Sequence, residues 1–82
     1  MTNLICPVPV GESKFELRVE YESPEVWVWS LRDKTGVKLQ GGRTVTRTAA
    51  QTEAQRAFEE RLHRAGLGTE APSTYQWQEL IA

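Results

Sequence analysis

The sequence predicts a small two-layer α+β domain: a β-β-β-α unit in which an antiparallel three-stranded meander packs on one helix, with a short extended segment at each terminus. Three observations lead there. Apolar and charged residues alternate over 14–22, five polar residues ending in glycine form a turn at 32–36, and an alanine-rich helical repeat runs within 46–65. A period of two puts one row of side chains on each face of a strand. Spacings of three and four gather a row on one side of a helix. At 82 residues the chain reads as one domain, 1–82, too short for two and limited to a thin core.

Residues 1–13 read as an amino-terminal arm or an edge strand, because Pro7 and Pro9 cannot donate within a central ladder. The meander occupies 14–40. Phe15, Leu17, Val19 and Tyr21 fall on one face of its first strand, and Glu16, Arg18, Glu20 and Glu22 on the other. Ser23-Pro24 ends that strand, and Glu25–Leu31 follows as its hairpin partner. The second strand is apolar or nearly so on both faces, with Trp27, Trp29 and Leu31 on one and Val26, Val28 and Ser30 on the other, the pattern of a central strand covered on both sides. After the turn, Val37 and Leu39 alternate with Lys38 and Gln40 in a third strand, which Gly41-Gly42 is expected to end.

The helix is expected to start at Thr48, which forms a capping box with Gln51, with Thr46 as the competing cap. Ala50, Ala54, Ala57, Phe58, Leu62 and Ala65 recur on one face. Phe58 and Leu62 are its expected anchors on Leu17 and Val19. Gly66 suits the left-handed residue that stops a helix, with Leu67 folding back as the apolar contact. Residues 68–82 are a loop followed by an alternating stretch, Thr74–Leu80, which is either an extra strand or a tail packed across the sheet.

Composition excludes several classes of function. One cysteine, Cys6, leaves no internal disulfide and no cysteine-based zinc site. A secreted domain of this size would usually carry several bridges, so a reducing, cytoplasmic setting is expected. No stretch reads as a signal peptide or a membrane span. Catalysis needs a nucleophile, a base within reach and a group that orients the base. The one histidine, His63, falls on the solvent side of the helix, and Cys6 sits in an apolar run as a small buried hydrophobe. Gly41-Gly42-Arg43-Thr44 lacks the remaining glycine, the lysine and the spacing of a phosphate loop. The expectation is a chain that is not an enzyme and has no cofactor and no metal.

Charge is unevenly laid out along the chain. Through Ser30, Lys14 and Arg18 stand against Glu12, Glu16, Glu20, Glu22 and Glu25, a net of −3. Over 31–47, Arg32, Lys34, Lys38, Arg43 and Arg47 stand against Asp33 alone, a net of +4, and the remainder is −2. A basic segment between acidic flanks is a clue to partners. The second clue is aromatic: Trp27, Trp29, Tyr75 and Trp77 are many large rings for so short a chain. Either a terminal segment covers Trp27 and Trp29 and they are core, or their face is partly open and binds a partner, a second copy of the chain included. The residues singled out for binding are Trp27, Trp29, Arg32, Lys34, Lys38, Arg43 and Arg47.

The stretch Glu25–Ala65, which from Trp27 onward reads WVWSLRDKTGVKLQGGRTVTRTAAQTEAQRAFEERLHRA, resembles two families. They are the three-stranded-sheet-plus-helix DNA-binding domains of plant ethylene-response factors and the arm-binding domains of phage integrases. The matching positions are Trp27 or Trp29, Asp33, Gly36, Gly42, Thr46 or Thr48, and Ala54 with Ala57, over about half the chain. The resemblance implies the sheet-and-helix architecture and DNA contact through the exposed sheet face. The chain departs from those families in its acidic first strand and its few sheet arginines. The function expected from the residues themselves is a small protein-binding or accessory module of bacterial or phage style, without membrane contact. Nucleic-acid binding through 32–47 is the alternative.

Overall fold

The computed structural model describes residues 2–80; Met1, Ile81 and Ala82, the outermost residues of the expected arm and tail, lie outside the described residues. Four strands, a helix and a fifth strand follow in order: β1 (Asn3–Val10), β2 (Ser13–Ser23), β3 (Val26–Arg32), β4 (Lys38–Thr44), α1 (Arg47–Arg64) and β5 (Gln78–Leu80), with a short 3-10 turn at Gly68–Glu70. They form one antiparallel sheet in the order β4-β3-β2-β1-β5. The α+β architecture with one helix is therefore as expected, but the sheet has five strands where three were predicted. Both terminal segments have joined it.

In β1 the buried side chains are Leu4, Cys6, Val8 and Val10, the alternation of a half-buried strand. Its partner β2 places Val19 opposite Leu4, Leu17 opposite Cys6 and Phe15 opposite Val8, so these residues share one face. β1 is not an edge along its whole length, because β5 pairs with Asn3–Ile5. Pro7 and Pro9 come after that pairing has ended, where no strand flanks the outer edge and a missing N–H costs no ladder bond.

The β2–β3 hairpin forms as the alternation implies, with Leu17 opposite Leu31, Val19 opposite Trp29 and Tyr21 opposite Trp27. The glycines expected to end the next strand lie inside it: β4 continues through Gly41-Gly42 to Thr44. Gly42 pairs with Trp29, and a Cβ on Gly42 would sit 2.7 Å from the indole Nε1. The absence of a side chain is what lets the ring lie over the strand. This is packing against a neighbour, not termination.

The helix begins earlier than the capping box implied. Thr46, in extended geometry, is the N-cap, and its Oγ1 accepts from the Ala49 N–H at 3.1 Å. Because β4 ends at Thr44, only Val45 and Thr46 separate strand from helix, and Thr48 is already inside the first turn. At the other end the expected glycine stop forms. Gly66 takes φ +76, its N–H donates to His63 O at 3.0 Å, and the Leu67 N–H donates to Leu62 O at 2.7 Å, the paired bonds of a Schellman stop. The side chain of Leu67 is exposed and does not fold back into the core.

α1 lies over β2, β3 and β4. Phe58, Leu17, Val19 and Leu31 have no exposed surface, and Leu62 nearly none, so the expected anchors are in place. Ala50, Ala54 and Ala57 bring the helix backbone close to the sheet. Phe58 packs against Phe15 at 5.5 Å and edge-on to Tyr75 at 6.4 Å. The segment before β5 fills the space beside the helix: Tyr75 Oη donates to Glu59 at 2.6 Å and Trp77 Nε1 to Gln55 at 2.9 Å. The tail thus covers the β1 end of the core on the same side as the helix. The opposite face of the sheet has no covering layer among the described residues.

Candidate binding surface

Strand alternation and register decide which side chains reach the uncovered face. Because Leu17, Val19, Trp29 and Leu31 point to the helix, their neighbours in sequence point away. Across the strands, Lys38 and Arg32 stand in a row with Glu16 and Pro7. Gly41 and Ser30 stand with Arg18 and Ile5, and Arg43 and Val28 with Glu20. Val26 extends the β3 column. Most of these residues are half-buried, Ile5, Pro7, Glu16, Arg18, Glu20, Val26, Val28 and Arg32 among them. Lys38 curls over Gly41, whose absent side chain leaves the room: a Cβ there would be 2.6 Å from Lys38 Cε.

Trp27 and Trp29, singled out as binding residues, belong to the other face. They are 5 % and 6 % exposed, and Trp27 stacks edge-on with Tyr21 at 5.3 Å. Of the two alternatives for the tryptophans, core or a partly open face, they are core, and the cover is the helix where a terminal segment was expected. Tyr21 opposite Trp27 and Val19 opposite Trp29 place both indoles with the first strand's apolar row, under the helix. What looks the other way is the Val26/Val28/Ser30 side.

The basic residues divide. Arg32, Lys38 and Arg43 come together on the uncovered face along the β3–β4 margin. Lys34 sits exposed at the β3–β4 hairpin tip, beyond Arg32 and Lys38, and Arg47 is exposed at the first residue of α1. Arg18 was not singled out for binding. Its position becomes visible only when the register brings β2 beside β3. The margin is not purely basic, since Arg43 Nη2 lies 3.3 Å from Glu22 and Arg18 Nε 2.6 Å from Glu16. A hollow at the hairpin end is lined by Lys14, Arg18 and Lys34 together with Glu16 and Asp33. Arg32, Lys34, Lys38 and Arg47 have no salt bridge to a carboxylate among the described residues.

The hairpin tip is held by one carboxylate. Asp33 Oδ1 accepts from Thr35 N at 2.8 Å, Thr35 Oγ1 at 2.6 Å and Val37 N at 3.1 Å. The Thr35 hydroxyl and these backbone N–H groups pull its pKa below the usual value. Arg32 Nη1 closes the turn on Gly36 O at 3.1 Å. Asp33, Gly36 and Gly42 therefore have local structural work in turn and packing.

On the helix side, burial pushes the Cys6 thiol up despite a backbone hydrogen bond at Gln76. Burial likewise pushes the Tyr75 phenol up, with Glu59 adding to it. Cys6 is 1 % exposed; His63 is exposed on the helix. No group of three or more His, Cys, Asp or Glu side chains that could hold a metal ion occurs among the described residues. Among the described residues, no helix is long and apolar enough to cross a membrane. No protein-family model matches the chain, and neither a curated protein nor a solved structure matches it significantly.

Proposed function

We propose that this chain is a non-enzymatic binding module that contacts a protein partner through the uncovered face of its sheet. The observation that supports this reading is the pattern of charge on that face. Arg32, Lys38 and Arg43 on β3 and β4 lie beside Glu16, Glu20 and Glu22 on β2, with half-buried Ile5, Pro7, Val26 and Val28 among them. A protein surface answers both signs and the apolar patches together. A polyanion would meet the glutamates within one or two strand spacings, about 5–10 Å, and neutralising phosphates is what drives nucleic-acid affinity. Against catalysis stand the burial of Cys6, which pushes its thiol pKa up, and the exposure of His63 on the outer side of the helix.

A photo-crosslinking residue at position 28, compared with one at position 63 on the outer side of α1, tests this in the native host. Protein adducts are expected from position 28. Equal labelling from both positions, or none from 28, would sink the reading. The second reading, nucleic-acid contact as the resembled DNA-binding domains suggest, draws on Arg32, Lys34 and Lys38, which cluster at one end of the β3–β4 hairpin without carboxylate partners. An NMR titration with duplex DNA at low salt separates the two. Shifts confined to 32–47 that vanish with added salt would favour DNA.

A further inference from the structure

The uncovered face is complementary to itself, and we infer that its occupant is a second copy of this chain. The inference rests on the reading of that face as a protein contact. Its carrier is the side-by-side order of the two charged strips. Arg32, Lys38 and Arg43 mark the β3–β4 half of the face, and Glu16, Glu20 and Glu22, with Arg18 among them, mark β2, the next strand over. A two-fold axis running parallel to the strands between β2 and β3 exchanges the two halves. Arg32 of each copy then lies over Glu16 of the other, and Lys38 and Arg43 lie one strand from Glu16 and Glu20 of the other copy, the self-complementary contact of a two-fold dimer.

The register makes the match specific. Under that axis β3 lies over β2 of the partner with rows preserved, so Arg32 meets Glu16 of the second copy and Ser30 meets Arg18. β4 lies over β1, with Arg43 one strand from Glu20 and Gly41 over Ile5. An axis perpendicular to the strands would instead stack acidic β2 on acidic β2, and like charges in contact disfavour that arrangement. Charge therefore selects one of the two face-to-face geometries.

Size sets the strength. Four strands at about 4.8 Å spacing and seven residues at about 3.3 Å give a face of roughly 19 by 23 Å, at the low end for specific interfaces. The dimer is accordingly weak and concentration-dependent, and salt loosens it by screening the opposed strips.

Sedimentation of the whole chain at low salt, from roughly micromolar to millimolar concentration, tests the inference. The wild-type chain, of 9.3 kDa, is expected to shift towards twice that mass as concentration rises and to shift back with added salt. Arg32→Glu and Glu16→Arg should each remain monomeric, with the native fold checked by circular dichroism. Mixing the two variants should restore the dimer, since each then offers the charge the other lacks at both symmetric contacts. If either variant fails to fold, the pair Arg43→Glu and Glu20→Arg serves in the same way. A monomer at every concentration, single reversals that leave the dimer intact, or a mixture that stays monomeric would each overturn the proposal. A monomeric chain that still crosslinks from position 28 to a different protein would overturn it and leave the wider binding reading standing.

Discussion

On β2, Leu17 and Val19 are fully buried beneath α1, while Arg18 between them keeps 36 % of its side chain in water. On β3 the same contrast divides Trp27, Trp29 and Leu31 from Val26 and Val28. One strand thus serves two surfaces that differ in what they tolerate. The covered face is packed from both sides, so its side chains are constrained in volume and shape. The uncovered face is constrained mainly in charge. Core positions and positions on the uncovered face are therefore separated by a single residue along the chain.

The largest expected effect is at Phe58. Phe58→Ala should cost about 3–5 kcal/mol through lost transfer energy and the cavity left behind. That is comparable to the whole stability of a chain this size, about 4–12 kcal/mol at 0.05–0.15 kcal/mol per residue. Val28→Thr, on the other face, should stay within about 0.5 kcal/mol. Chemical denaturation of both at low protein concentration checks the contrast; a cooperatively folded Phe58→Ala as stable as the wild type would break it.

Gly42→Ala comes next. Its new Cβ would lie 2.7 Å from the Trp29 indole, and a ring that is 6 % exposed has little room to move. Overpacking of this kind costs about 1–3 kcal/mol. A lowered melting temperature with changed tryptophan emission is expected. An unchanged melting curve would mean that β4 does not press on Trp29.

Helix docking, which makes one face the core, starts from its cap. Thr46→Ala should cost about 1 kcal/mol, whereas Thr48→Ala should be nearly neutral because alanine is the better helix former. Urea midpoints rank the two. The reverse ranking would restore the Thr48 capping box.

Titration distinguishes the regions as well. Cys6 and Tyr75 hold their protons more tightly folded than unfolded, so their contribution to stability is full below the ordinary values of 9.0 and 10.0 and falls as pH rises through the folded ones. Asp33 has the opposite sign: its contribution is present above the ordinary value of 3.8 and is lost as pH falls through the depressed one. Loss of stability in alkali should therefore start at the helix-side core, and in acid at the β3–β4 turn. Amide exchange resolved by residue would show it, and simultaneous loosening of both regions at one extreme of pH would contradict the assignment.

Much of this architecture is determined by local sequence. The alternation at Phe15–Glu22, the helical repeat from Ala50 to Leu62 and the glycine at 66 each depend on neighbours within a few residues, where backbone geometry dictates side-chain direction. The exposure of His63 follows from the helical repeat, and the burial of Cys6 from the apolar run in which it sits. Other features depend on pairing between residues far apart in the chain. Whether Trp27 and Trp29 face the helix is a matter of β2–β3 register, and a shift of one residue would reverse it. Pairing of Gln78–Leu80 with Asn3–Ile5 joins segments more than seventy residues apart, and nothing local to either names the other. Gly41-Gly42 reads locally as a stop and becomes a packing position only beside Trp29. The candidate surface has the same origin: Arg32, Lys38, Arg43 and Arg18 lie on three strands, and only the sheet places them on one face beside Glu16 and Glu20.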